Sequence, residues 1–145
     1  MLAHRAAASA GLFAAAALHA AWGAGSAWPF RDRAALADAV IGAAEVPGPG
    51  ACLAVSGALA VAGALAAGWP ARYPGLRQAG LSAVAAVLAA RGALGLAGRT
   101  RLVSPVSVSA RFTRLDRRVY SPLCLTLAGL SALSARQAKD TRPDA

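Results

Sequence analysis

Charge is what this sequence has least of: only 14% of its 145 residues are Asp, Glu, Lys or Arg, against about 25% in soluble domains. Six residues are acidic and one is lysine, so 14 arginines carry nearly all of the net charge of +9. The long uncharged stretches hold no Asp or Glu, which excludes the intramembrane carboxylate that drives proton-coupled exporters. Cysteine is nearly absent as well. Cys52 and Cys124 lie 72 residues apart with no C-x-x-C, so spacing supplies neither a zinc site nor a disulfide framework. Nucleophile elbow, zincin helix, P-loop and dinucleotide fingerprint are all missing. The reading therefore needs no metal and no cofactor. A share of 57% apolar residues excludes intrinsic disorder.

What the sequence does contain is long apolar runs. Four of them, over residues 6–22, 50–69, 79–98 and 119–135, are 17, 20, 20 and 17 residues long. About 20 residues carry a helix across a hydrocarbon core of about 30 Å. A soluble bundle would need a polar face on each segment, yet from Ala51 to Ala67 only Cys52 and Ser56 have polar character. Helices apolar all round belong in a core or a membrane, and four in one small chain cannot all be core. The expectation is an all-α integral membrane four-helix bundle forming one domain over 1–136, with a polar tail over 137–145. His4, Arg5 and the run to Gly25, Ser26 and Ala27 also fit a cleavable signal peptide, but His19 and Trp22 late in the run argue for a retained helix.

The connections fit four spans. Trp28-Pro29 and Pro47 to Pro49 bracket a first loop in which Leu36, Val40 and Ile41 form a short surface helix. Trp69-Pro70 with Tyr73 and Pro74 makes a tight second turn. Trp22, Trp69, Tyr73 and Tyr120 fall at span boundaries, where amphipathic rings prefer to sit. Ser121-Pro122 is a start signal for the last helix. Gly57, Gly63, Gly92, Gly95, Gly98 and Gly129 let helices approach closely. Val106 to Ser109 reads as an extended linker.

Thirteen of the 14 arginines flank the apolar runs, which points to headgroup phosphates of anionic membrane lipids and not to nucleic acid. The exception is Arg91, placed inside the third run, where an unpaired guanidinium costs roughly 2.5 to 3.5 kcal/mol. If the four helices alternate in direction, His19, Trp22, Cys52, Arg91, Asp116, Tyr120 and Cys124 all lie toward one membrane face. Asp116 is the natural counter-charge for Arg91. Around it, Phe112, Leu115 and Val119 recur at helical spacing among Arg111, Arg114, Arg117 and Arg118, the pattern of a basic amphipathic interfacial helix. Loop charges, eight Lys or Arg on one side against six on the other, leave orientation open under the positive-inside rule.

His19, Trp22 and Gly23 followed by Trp28-Pro29, and above all the run from Phe112 through Asp116, Tyr120, Ser121 and Pro122 to Cys124 and Leu125, resemble a family of small bacterial multi-pass membrane proteins catalogued as domain of unknown function 3995. The resemblance covers nearly the whole chain. It implies a four-helix membrane protein with no assigned activity. The function expected is a non-enzymatic component of a bacterial inner membrane that binds an anionic lipid or small ligand, or docks a protein partner, through His19, Trp22, Arg91, Asp116, Arg117, Arg118 and Tyr120. The alternative is a membrane enzyme acting on lipid or quinone, with Cys52 and Cys124 as a redox pair.

Overall fold

Prolines and capping side chains set where the helices begin. The computed structural model describes residues 3–99 and 109–140, and these are all-helical, with no strand among them. The helices are α1 (Ala3–Gly23), α2 (Arg33–Val40), α3 (Pro49–Ala67), α4 (Pro74–Leu96), α5 (Ala110–Leu115) and α6 (Ser121–Asp140), with a π-helical turn over Asp116–Tyr120 joining the last two. α3 and α4 start on proline, whose missing N–H is one the first turn does not need. α3 stops at Gly68, whose φ of 113° is a left-handed conformation that glycine adopts without cost. The expected linker over 106–108 lies outside the described residues; of the expected tail over 137–145, the first four residues continue α6, with Ala138 buried, and those beyond 140 are not described.

The start signal at Ser121-Pro122 has a different outcome. The cap belongs to Ser109, whose Oγ accepts the Phe112 N–H at 3.1 Å, and the chain then stays helical through the π turn into α6. Within a regular helix the ring of Pro122 would clash with the carbonyl four residues earlier. The π turn, in which the Ser121 N–H reaches back to the Asp116 carbonyl, is wider and gives the ring room.

α1 packs along α3 and α4 along α6, and the two pairs meet mainly through α1 and α6. Ala8, Leu12, Ala62, Ala66, Leu81, Leu127 and Ala135 form the central core. α6 contributes a stripe of small side chains, with Ala128, Ser131, Ser134, Ala135 and Ala138 all buried, at the three- and four-residue spacing that lets helices pack closely. Gly63, Gly92 and Gly95 do sit at close approaches, to Phe13, Leu125 and Ser121 respectively, whereas nothing stands within 4 Å of a side chain added at Gly57 or Gly129.

Three helices, α1, α3 and α4, are long and apolar enough to cross a membrane. Only 28%, 22% and 17% of their apolar windows are buried within the protein, so most of that apolar surface faces outward. Phe13, Val55, Val61 and Val87 all stand exposed. α6 is 20 residues long, but Arg136, Gln137 and Lys139 dilute its last turns, and it falls short of the same criterion.

Candidate functional site

Arg91, from the last third of α4, ends against Asp116 in the π turn, with Nη2 donating to Oδ1 at 2.7 Å. Asp116 is fully buried, and the Arg91 side chain keeps 24% of its exposure. Ser121 Oγ donates to the same Oδ1 at 3.3 Å. Two atoms of the pair stay unsatisfied, Arg91 Nη1 and Asp116 Oδ2, and both lie where a side chain at Gly95 would project. The glycine is what lets the carboxylate enter between α4 and the start of α6. Opposite charges at this distance in a poorly hydrated place attract strongly, and removing either alone leaves the other unpaired.

The same segment holds α2 in place. Tyr120 Oη donates to the Ala39 carbonyl at 3.1 Å and Ser109 Oγ to the Asp38 carbonyl at 3.2 Å. Arg111 pairs with Asp38 at 3.5 Å and lies over the ring of Phe30. α2 itself begins on Asp32, whose Oδ1 accepts the Ala35 N–H at 2.7 Å. That backbone hydrogen bond, aided by Arg31, holds the Asp32 carboxyl below its ordinary range.

The residues expected to form one cluster divide into two groups on either side of α2. Arg91, Asp116 and Tyr120 make up the first. His19, Trp22 and Cys52 make up the second, around a cavity of about 140 Å³ closed by Leu36 and Val40 of α2. No hydrogen bond, ion pair or ring contact described in the structure joins the groups. His19 Nδ1 donates to the Ala15 carbonyl of its own helix at 2.8 Å, and its ring packs on Trp22 at a centroid distance of 5.0 Å. Trp22 ends α1 but is turned inward: it is 6% exposed and its Nε1 donates to the Trp28 carbonyl at 2.8 Å, while the Trp and Tyr rings left exposed are Trp28, Trp69 and Tyr73.

Both cysteines are free thiols, each with its own surroundings. Cys52 packs with Trp22 and Leu36 and points its Sγ at the Pro47 carbonyl, 3.7 Å away. Cys124, in the first turn of α6, is half-buried. Among the described residues no group of three His, Cys, Asp or Glu side chains stands close enough to hold a metal.

The basic segment is only partly as its periodicity predicts. Phe112 and Asp116 are buried, while Val119 points outward at 47% exposure, because the π turn rotates the register after Leu115. Arg114, Arg117 and Arg118 are exposed, form no ion pair with a described residue, and line a shallow open groove with Ala110 and Thr113. The Arg117 guanidinium lies over Gly98, just past the end of α4, where helix carbonyls favour a cation.

Arg5 and Arg77 belong to the flanking arginines counted on the side opposite Arg91, but periodicity does not show that they come together at that end of the helices, where Arg77 is 7% exposed. The readable signal was Pro74: a helix that starts there carries Arg77 inside its first turn, not in the loop before residue 79.

The family model described as "Protein of unknown function (DUF3995)" matches residues 12–131. No curated protein and no solved structure matches the chain.

Proposed function

Given that the chain belongs to the DUF3995 family of proteins of unknown function, we propose that it is a non-enzymatic, multi-pass protein of a bacterial inner membrane that gathers anionic lipid headgroups on one face. In this reading α1, α3, α4 and α6 span as a four-helix bundle, and α5 with the π turn lies in the interface. The observation that carries it is the row of Arg114, Arg117 and Arg118, exposed and without carboxylate partners among the described residues. Arg91 is not part of that row. Its charge is committed to Asp116, and the pair anchors the segment that presents the other arginines.

Each arginine near a membrane surface contributes about 1 kcal/mol of attraction to anionic lipid, an interaction that salt screens over about 8 Å at physiological ionic strength. The test is lipid composition around the full-length protein extracted in native nanodiscs from membranes of mixed phosphatidylglycerol and phosphatidylcholine. The wild type should enrich phosphatidylglycerol, and the enrichment should fall when Arg114, Arg117 and Arg118 are all changed to Gln or when salt is raised. Equal composition around wild type and triple variant would refute the reading.

A further inference from the structure

At the end of the molecule far from Arg91, two guanidinium groups converge with no carboxylate to meet them among the described side chains. Arg5, near the start of α1, reaches the end of α3, where its Nε and Nη2 donate to the Ala66 and Ala67 carbonyls at 3.4 and 3.0 Å. Arg77, in the first turn of α4, converges on the same place. A side chain added at Gly68 would strike the Arg5 guanidinium and come within 3.8 Å of Arg77 Nη2. Arg5 has helix carbonyls to answer its charge, but Arg77 does not: it is 7% exposed and its Nε has no hydrogen-bond partner.

A desolvated guanidinium beside a second cation is unfavourable unless an anion completes the arrangement. Planar guanidinium groups match phosphate oxygens in paired hydrogen bonds. A shallow groove lined by Arg5, Ala6, Ser9, Ala10 and Ala67 opens beside the pair, with apolar walls of the kind a glycerol or acyl segment would follow. We propose that Arg77 and Arg5 form a site for a phosphate group at this end of the protein. The site is independent of the arginines on α5 and the π turn, and because Arg77 is buried its part of the binding resists salt.

The test is thermal unfolding of the full-length protein in neutral detergent, with phosphatidylglycerol, phosphatidylcholine or inorganic phosphate added. It is run in the background of Arg114→Gln, Arg117→Gln and Arg118→Gln, so that the outcome does not depend on the other face. Phosphatidylglycerol should raise the midpoint, the rise should persist in high salt, and Arg77→Met should abolish it. Arg77→Met removes an unpaired buried charge and so should unfold no earlier than its parent without lipid. Arg5→Gln, at a half-buried position, is the second variant and should require about tenfold more lipid for the same rise. A rise with inorganic phosphate alone, abolished by Arg77→Met, would identify free phosphate and not a lipid as the source. No rise with either phosphate source, or a rise unchanged by Arg77→Met and Arg5→Gln, would overturn the proposal.

Discussion

At the scale of single residues, Arg91 and Asp116 are the clearest case of chemistry legible in sequence. An arginine inside an apolar run needs a partner, and the chain offers few acids from which to choose. Their geometry makes the pair a structural fastener, so Arg91→Leu should destabilise the protein by about 3–5 kcal/mol, measured by denaturant unfolding in mixed micelles. The double variant Arg91→Leu with Asp116→Leu should recover much of that loss, since no buried charge is then left alone. Additive losses in the two single variants would show that the groups are not coupled. Asp32 permits a pH prediction. Its folded pKa is depressed by the Ala35 N–H, so the stabilisation it gives α2 is fully present above the unfolded value near 3.8 and disappears as pH falls through the lower folded value. Hydrogen exchange at Ala35 should accelerate over that acidic window in the wild type and be fast throughout in Asp32→Ala. What the sequence hid at this scale was burial. Pro74 places Arg77 on a helix, but nothing in the local pattern shows that α1 and the end of α3 enclose it.

At the scale of helices, period and composition locate the apolar segments, because a run of side chains without charge has few other uses. They say less about which face meets which neighbour. Glycine was the expected marker of contact, yet Gly57 and Gly129 face open space, and α6 makes its contacts instead with a stripe of Ala and Ser. Gly92→Ala should therefore cost about 1–3 kcal/mol, since the added carbon would lie 2.9 Å from the Ser121 carbonyl. Gly129→Ala should be neutral or stabilising by roughly 0.5–1 kcal/mol through helix propensity. Comparing the unfolding midpoints of the two variants checks both. The π turn was invisible to a strict helical period, and it is the reason that Asp116 faces inward while Val119 does not. Pro122, read as the first residue of a helix, is better understood as the residue that makes the wider turn favourable.

At the scale of the whole molecule, an apolar middle joins two cationic ends. One end is an exposed row of arginines held in place by a buried ion pair. The other is half-buried Arg5 and buried Arg77 around Gly68. Salt should separate them: raising ionic strength should release lipid held by Arg114, Arg117 and Arg118 while leaving ligand at Arg77 in place. Native mass spectrometry of the wild type at low and high salt checks this, and simultaneous loss of all bound lipid would contradict it. Alternation of the helices was a condition of the sequence reading, and it agrees with Arg5 reaching the end of α3 and Arg91 the turn before α6. That the polar residues on one face form two groups was not, because α2 comes between them by a fold-back that periodicity does not encode.

Everything at this scale depends on α6 crossing the membrane, the helix whose last turns are most polar. The decisive measurement is labelling by an impermeant maleimide of single cysteines placed at Trp28, Tyr73, Arg114 and Lys139 in a Cys52→Ser, Cys124→Ser background, in sealed and opened vesicles. Trp28→Cys and Arg114→Cys should react from one side, and Tyr73→Cys and Lys139→Cys from the other. If Lys139→Cys reacts from the same side as Arg114→Cys, α6 does not span and the four-helix account fails.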